Sequence, residues 1–311
     1  MTELEVPPRI LLVDDELEVV SGLRRALTRC ARSFEIVIAC SAAEALVTLA
    51  LAPCAVVVSD VQMPGITGLE LLEEIARTRP SVGRVLLTGT AEANAATRAL
   101  PTAHRFLCKP CNIRVIAETC RELHRYALAA EAAGPANDPA LAMGSITALG
   151  IDVATIERSR AAVLAGRDAV LEIIEHPALA AALLHMTGSE FLGARTEVTT
   201  LTEAVDLVGT TYFERMIDSG FLLPVSGEAA APIIDLAERA RARAHAVRRA
   251  NGSSIEALAA LLLEVDRLGT SDMTTWYGLR ESCGAAALLG MWGAPAPLVD
   301  QLAAQAKDPA P

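Results

Sequence analysis

Five short β-rich runs, each followed by a stretch with helical periodicity, fill the first 128 residues, and then the pattern stops. No other feature narrows the fold as far. Ile10 to Val13, Glu35 to Ala39, Ala55 to Ser59, Arg84 to Leu87 and Arg105 to Cys108 read as strands, and residues 16–30, 42–51, 67–78, 91–99 and 112–128 as helices. Parallel strands need crossovers long enough to hold a helix, so this alternation predicts a parallel sheet. Runs without polar alternation are buried on both faces, which makes the expected fold an α/β doubly wound five-stranded sheet. Functional residues in such a sheet gather beyond the carboxyl ends of its strands.

Residues 130–141 (AEAAGPANDPAL) lose this periodicity and gain Gly, Pro, Asn and Asp, as a linker does. The expected division is residues 8–128, a linker at 129–145, and a second domain at 146–306, in keeping with the 311-residue length. The second half shows no strand pattern. Amphipathic segments at 152–165, 167–175, 177–187, 200–208, 210–219, 231–250, 253–267, 272–291 and 295–306 predict an all-α domain.

Charge separates the halves again. Residues 1–128 carry 14 basic and 15 acidic side chains and the remainder 13 and 23, so most of the net charge of -11 belongs to the helical half. With 3% aromatic residues and this acidity, the chain lacks the basic groove and stacking platform of a direct nucleic-acid binder. Arg239, Arg241, Arg243, Arg248 and Arg249 scatter around one helix and read as a solvated face. Seven scattered Cys fit a reduced, cytoplasmic chain. The start lacks a signal-peptide pattern, and the longest uncharged stretches, such as Cys283 to Val299, are broken by Gly and Pro and too short to span a membrane.

Asp14, Asp15 and Glu16 follow the first strand and Asp60 ends the third. Neighbouring strands would bring these carboxylates together, where they repel unless a cation bridges them. Hard oxygen donors with open positions favour Mg²⁺ (or Mn²⁺). Thr88 and Gly89 follow the fourth strand, and Lys109 and Pro110 the fifth, so a hydroxyl and an ammonium reach the same edge. Of 27 basic residues only Lys109 and Lys307 are lysines, which singles out Lys109 as a place where a compact point charge is wanted.

VDDE (13–16), SDVQMPGITG (59–68), LLTGT (86–90) and FLCKP (106–110), in that order, resemble the receiver domain of two-component response regulators. The resemblance implies that Asp60 is the phosphoacceptor. It further implies that Asp15, Asp60 and the Gln62 carbonyl hold the metal with Asp14 assisting, that Thr88 and Lys109 engage the phosphoryl group, and that Phe106 is an aromatic switch. It implies a cis Lys109-Pro110 bond. The donor would be a sensor histidine kinase or a phosphotransfer protein. A face made by the fourth predicted helix, fifth strand and fifth helix would report the switch. Ile113, Ile116, Cys120, Leu123 and Ala127 on that last helix recur at seam spacing, which fits either packing on its own sheet or a homodimer. Cys108 and Cys111 have redox-pair spacing, but Cys108 lies in a strand before the helix, whereas a redox pair normally opens a helix after its strand.

In the second half HPALAAALLHMTGSEFLG (176–193), TEVTTLTEAVDLVGTTYFERMI (196–217) and GAAALLGMWGAPAPLVDQLA (284–303) resemble the HDOD family, HD-related output domains without the metal residues. Trp292, Gly293 and Pro295 are the most specific of these. The chain has no His-Asp doublet, and where a remnant would stand LLLEVDRLG (261–269) offers Glu264 and Asp266 without His. His176, His185 and His245 read as isolated histidines. The expectation is a non-enzymatic response regulator whose HD-like helical domain acts on an unidentified protein partner; a receiver-controlled HD-type phosphohydrolase acting on cyclic dinucleotides is the alternative.

Overall fold

The computed structural model describes residues 7–89, 97–133, 146, 148–188, 198–270 and 283–307. Strands β1 (Arg9–Val13), β2 (Glu35–Ala39), β3 (Val56–Asp60), β4 (Gly83–Gly89) and β5 (Arg105–Lys109) form one sheet in the order β2-β1-β3-β4-β5, every pair parallel. Helices α1 (Leu17–Cys30) and α4 (Ile113–Ala133) pack together on one face, and α2 (Ala42–Leu51) and α3 (Gly68–Thr78) meet on the other. Ile10, Leu11, Val56, Val57, Val85 and Leu86 are fully buried, as apolar strands covered on both faces must be. Ser41 caps α2, and Thr67 forms a reciprocal capping box with Glu70 at α3.

The α4 seam turns inward. Ile116, Cys120 and Leu123 are buried against the sheet, so the spacing noted above serves intramolecular packing. The helix runs on to Ala133 through the Ala- and Glu-rich start of the expected linker, residues with high helical propensity. The fourth predicted helix falls mostly, and linker residues 134–145 entirely, outside the described residues.

The second half corrects the all-α expectation. Strands β6 (Ala148–Asp152), β7 (Leu222–Val225) and β8 (Gly269–Thr270) form a small sheet in the order β7-β6-β8, with β6 parallel to β7 and antiparallel to β8. These strands are two to five residues long, and β6 is buried at every position, so none displays the alternation that marks a strand in sequence. Around them lie α5 (Val153–Ala165), α6 (Arg167–Ile173), α7 (Pro177–Thr187), α8 (Leu201–Ile217), α9 (Ala231–Arg249), α10 (Ser254–Leu262), α11 (Cys283–Met291) and α12 (Ala296–Lys307). All eleven residues of α7 are buried, which places it at the centre. Gly209, at φ 69°, breaks α8 where two helices were expected.

The two halves share one hydrophobic core. Helix α11 packs along α4. Strand β5 is the edge of its sheet, yet Arg105 and Phe106 are no more than 2% exposed, and they meet Gly290 and His185 of the helical half. At the seam the Arg105 guanidinium donates to the Gly290 carbonyl at 2.6 Å, and the Tyr126 ring fills the notch left by the missing side chain of Gly290.

Candidate functional site

The parallel order places β1 directly beside β3, so the acids that follow them share the carboxyl edge. Asp14 lies at the end of β1, 3% exposed, and its Oδ1 accepts from the Glu16 amide at 3.0 Å. Asp60 closes β3, and its Oδ2 accepts from the Gln62 amide at 3.2 Å. Both carboxylates are thus aimed by the backbone that follows them.

Lys109 reaches across from the end of β5. Its Nζ lies 2.6 Å from Asp60 Oδ1 and 3.0 Å from Asp14 Oδ2, bridging the two acids with one charge. Burial works against its charged form, but the hydrogen bonds and charges of Asp60 and then Asp14 outweigh that, holding the Lys109 pKa above its ordinary value. The ammonium therefore stays charged throughout the neutral range. The Lys109-Pro110 peptide is cis.

Thr88 sits on β4 one residue past the register partner of Asp60. Its hydroxyl is buried and has no hydrogen-bond partner among the described residues. An unpaired buried hydroxyl costs about 1–3 kcal/mol, so the site holds a donor without an acceptor. Asp15 and Gln62 are exposed on the rim. The structure thus gathers Asp14, Asp60 and Lys109, keeps Thr88 on the adjoining strand, and leaves Asp15 outermost. Among the described residues no three His, Cys, Asp or Glu side chains crowd into a metal-binding group. Two carboxylates drawn to a single cation by hard oxygens, with a third acid on the rim, nevertheless form a donor set that suits a divalent ion such as Mg²⁺.

One positioning residue escaped the sequence reading. A Cβ on Gly68 would stand 1.7 Å from the Asp60 carbonyl oxygen and 2.8 Å from Ser59 Oγ, so only glycine lets α3 start against the acid. The Ser59 hydroxyl donates to the same carbonyl at 2.9 Å. A glycine at the first helical position, eight residues beyond the acid, was the signal available.

Phe106 lies on β5, and its ring centroid is 5.7 Å from that of His185 in α7. His185 stacks on Trp292 at 5.0 Å and 17°, and Phe221 closes the group edge-on to Trp292. His185 Nε2 lies 3.1 Å from the Ala103 carbonyl, which can only accept, so that nitrogen carries the proton. Burial, with Arg105 nearby, pushes the His185 pKa down to about 3, and the ring is neutral.

Several acids and histidines of the helical half are engaged otherwise. Glu264 accepts from Arg243 at 2.9 Å and pairs with Arg267 at 2.7 Å. Glu175 pairs with Arg248 at 2.6 Å and His245 at 2.9 Å, and Arg239 pairs with Asp235. His176 caps α7 by accepting from the Ala178 amide. The Asp266 side chain lies outside the described residues. Trp292 is 1% exposed, and Gly293, at φ 90°, touches the backbone of Gly188. Cys108 and Cys111 are partly exposed thiols not joined in a disulfide.

Residues 10–121 match the family described as the response regulator receiver domain. Over 80 residues the chain is 36% identical to the hydrogenase transcriptional regulatory protein HoxA of Cupriavidus necator, covering 26% of this chain and 16% of that protein. It is 30% identical over 108 residues to the C4-dicarboxylate transport transcriptional regulatory protein DctD of Rhizobium meliloti, covering 34% and 23%. With the sensor kinase CckA of Brucella abortus it shares 36% identity over 126 residues, covering 39% and 13%. The chain thus spans less than a quarter of each of these relatives. Among solved structures, the signal receiver domain of an HD domain-containing protein from Pseudomonas fluorescens Pf-5 is 27% identical, with a TM-score of 0.37, covering 40% of this chain and 98% of that one. Residues 10–121 are a receiver domain of the two-component type.

Proposed function

We propose that this chain is a cytoplasmic response regulator that accepts a phosphoryl group on Asp60 and passes the signal to a non-catalytic, HDOD-like helical half. The observation that carries the reading is the Lys109 ammonium held between Asp60 and Asp14, with the unsatisfied Thr88 hydroxyl on the adjoining strand. An Asp60 carboxylate oxygen bonds to phosphorus as the bond to the histidine nitrogen of a kinase or phosphotransfer protein breaks. Lys109 then turns from the carboxylate toward the new phosphoryl oxygens, and the Thr88 hydroxyl gains an acceptor. Asp14, Asp15, Asp60 and the Gln62 carbonyl would hold Mg²⁺, whose charge eases the approach of the anionic group.

The output is assigned to an interface rather than to chemistry because Glu264 is neutralised by Arg243 and Arg267. The described histidines of the helical half sit in separate places, at a helix cap, an aromatic stack and an ion pair. A hydrolytic metal centre needs its His and Asp side chains together and open to water. Among the described residues no helix is long and apolar enough to cross a membrane, in keeping with action in the cytoplasm.

The test is labelling with a small phosphodonor, and binding of beryllofluoride, in the presence of Mg²⁺. Wild type is modified and Asp60→Asn is not; equal labelling of the two would remove Asp60 from this role. Hydrolysis of cyclic dinucleotides, assayed with added divalent metals, stays at background, and turnover abolished by Glu264→Ala would overturn the non-catalytic assignment.

A further inference from the structure

A cavity of about 600 Å³ opens in the helical half, between the end of α6, the start of α8 and the turn from α9 into α10. That volume falls within the range of about 300–1,000 Å³ usual for small-molecule sites. One wall is apolar: Leu171, Ile174, Leu201, Leu258 and Leu261 line it, and Ile174, Leu258 and Leu261 are no more than 5% exposed. The other wall is polar, with Arg248 and Glu175 beside the hydroxyls of Thr200, Thr202 and Ser254. Arg248 Nη1 meets Glu175 Oε1 at 2.6 Å, and His245 Nε2 holds the second oxygen of Glu175 at 2.9 Å. The Arg248 side chain nonetheless stays 43% exposed. Helices α8 and α10 both begin at this cavity, where Thr200 and Ser253 cap them by accepting from the Glu203 and Glu256 amides. The two amides before each of these have no carbonyl to bond within the helix and carry the positive end of its dipole.

We propose that this cavity binds a small monocarboxylate with an apolar body: the body lies on the leucine wall, and the carboxylate takes the exposed part of Arg248 and the first amides of the adjoining helices. A planar anion with two oxygens matches the guanidinium fork. The head group carries a single charge, because Glu175 stands on the same wall and Glu203 and Glu256 cap the two helix starts. A dianion such as a phosphate monoester would be repelled by all three carboxylates. The apolar wall, in turn, selects against small hydrophilic acids, which gain nothing from burial there. Every described residue on the walls belongs to the helical half, so the site gives that half a chemical input of its own. It goes beyond the phosphoacceptor reading and does not depend on it.

Calorimetric titration of the full chain with octanoate and with 3-phenylpropionate tests the site. At least one of them should bind once per chain and raise the melting temperature. Octyl phosphate and 1-octanol, which share the octyl body but not the head group, should each bind about tenfold more weakly than octanoate. Arg248→Gln should weaken carboxylate binding about tenfold and leave 1-octanol unchanged. Glu175→Gln removes the carboxylate that competes for Arg248 and should tighten binding about threefold. Leu171→Trp, on a partly exposed stretch of the apolar wall, fills the cavity and should remove binding of every probe. Circular dichroism establishes that each variant is folded. The proposal is overturned if neither carboxylate binds wild type at millimolar concentration, or if octanoate affinity is unchanged in folded Arg248→Gln or Leu171→Trp. Equal affinity for octanoate and 1-octanol, or tighter binding of octyl phosphate, defeats the monocarboxylate assignment. None of these results alters the labelling of Asp60, which stands or falls by its own test.

Discussion

The two halves of the molecule compensate their acidic side chains in opposite ways. In the receiver, Asp14 and Asp60 share a single ammonium, and the Thr88 hydroxyl beside them is left without an acceptor. In the helical half, Glu175 has Arg248 and His245, Glu264 has Arg243 and Arg267, and Asp206 has Arg167. The first arrangement is short of charge compensation and can gain by taking up a cation and an anion. In the second each of these acids already has its own cation, although His176 Nε2 and Arg243 Nη2 there are buried without a hydrogen-bond partner among the described residues. Chemistry and framework are distinguished here by how the acids are compensated, two carboxylates on one ammonium against each acid with its own cation, since both halves contain acids enough for either role.

Several substitutions would sharpen or break this contrast. The largest effect is expected from Gly68→Ala, whose added methyl would overlap the Asp60 carbonyl oxygen. Backbone overlap of that kind costs about 3 kcal/mol or more in a packed site. Urea unfolding of the receiver transition should show it, together with lost beryllofluoride binding; a fully stable, fully competent Gly68→Ala would mean that α3 does not set the position of the acid.

Next comes Lys109→Met. Losing the charge-assisted hydrogen bond that the ammonium would give the bound anion, worth about 1.5–3 kcal/mol, corresponds to a drop in beryllofluoride affinity of about 10- to 100-fold. Lys109→Arg should recover little of it, because a planar fork does not replace a point charge between two carboxylates. Full recovery by arginine would show that charge alone, without its geometry, makes the site.

A pH titration separates the halves without mutation. Burial holds His185 at about 3 and His176 at about 4, below their ordinary 6.5. The unfolded chain binds protons there that the folded chain does not, so stability is complete above pH 6.5 and declines as pH falls from 6.5 toward 4. The loss by pH 4 should be on the order of 3 kcal/mol for each histidine. His185→Gln should flatten part of that decline in thermal melts. Asp152 and Glu175 have lowered pKa values and act in a more acid window, their contribution vanishing as pH falls through the ordinary carboxylate range and below. An unaltered pH slope in His185→Gln would place the sensitivity elsewhere.

The smallest effect belongs to Glu264→Gln. Its ion pairs are partly exposed and should be worth about 1 kcal/mol or less, with beryllofluoride binding untouched. A loss of several kcal/mol, or a changed affinity at Asp60, would erase the distinction between a completed framework and an open site.

Much of the receiver could be read from residue order. Once five parallel strands are inferred, Asp14, Asp60, Thr88 and Lys109 fall at strand ends, and sheet topology brings strand ends together whatever the details of packing. Gly68 was harder, because its meaning is a clearance between two backbones. The small sheet of the helical half was not legible: Ala148–Asp152 is buried throughout and apolar up to Ile151, and a run of that kind has no period to distinguish strand from helix. The seam of α4 carried two readings, and burial of Ile116, Cys120 and Leu123 decides for packing on the sheet.

The sequence by itself determined the alternation of strands and helices, the meeting of the acids with Lys109, and the change of composition between halves. These follow from local periodicity and from the fixed geometry of a parallel sheet. Only the tertiary structure decided that β5 and α4 are covered by the chain's own helical half, with Arg105 on Gly290 and Phe106 on His185. Those pairs are separated by 185 and 79 positions, and no local preference encodes a contact between surfaces that meet only after each half has folded.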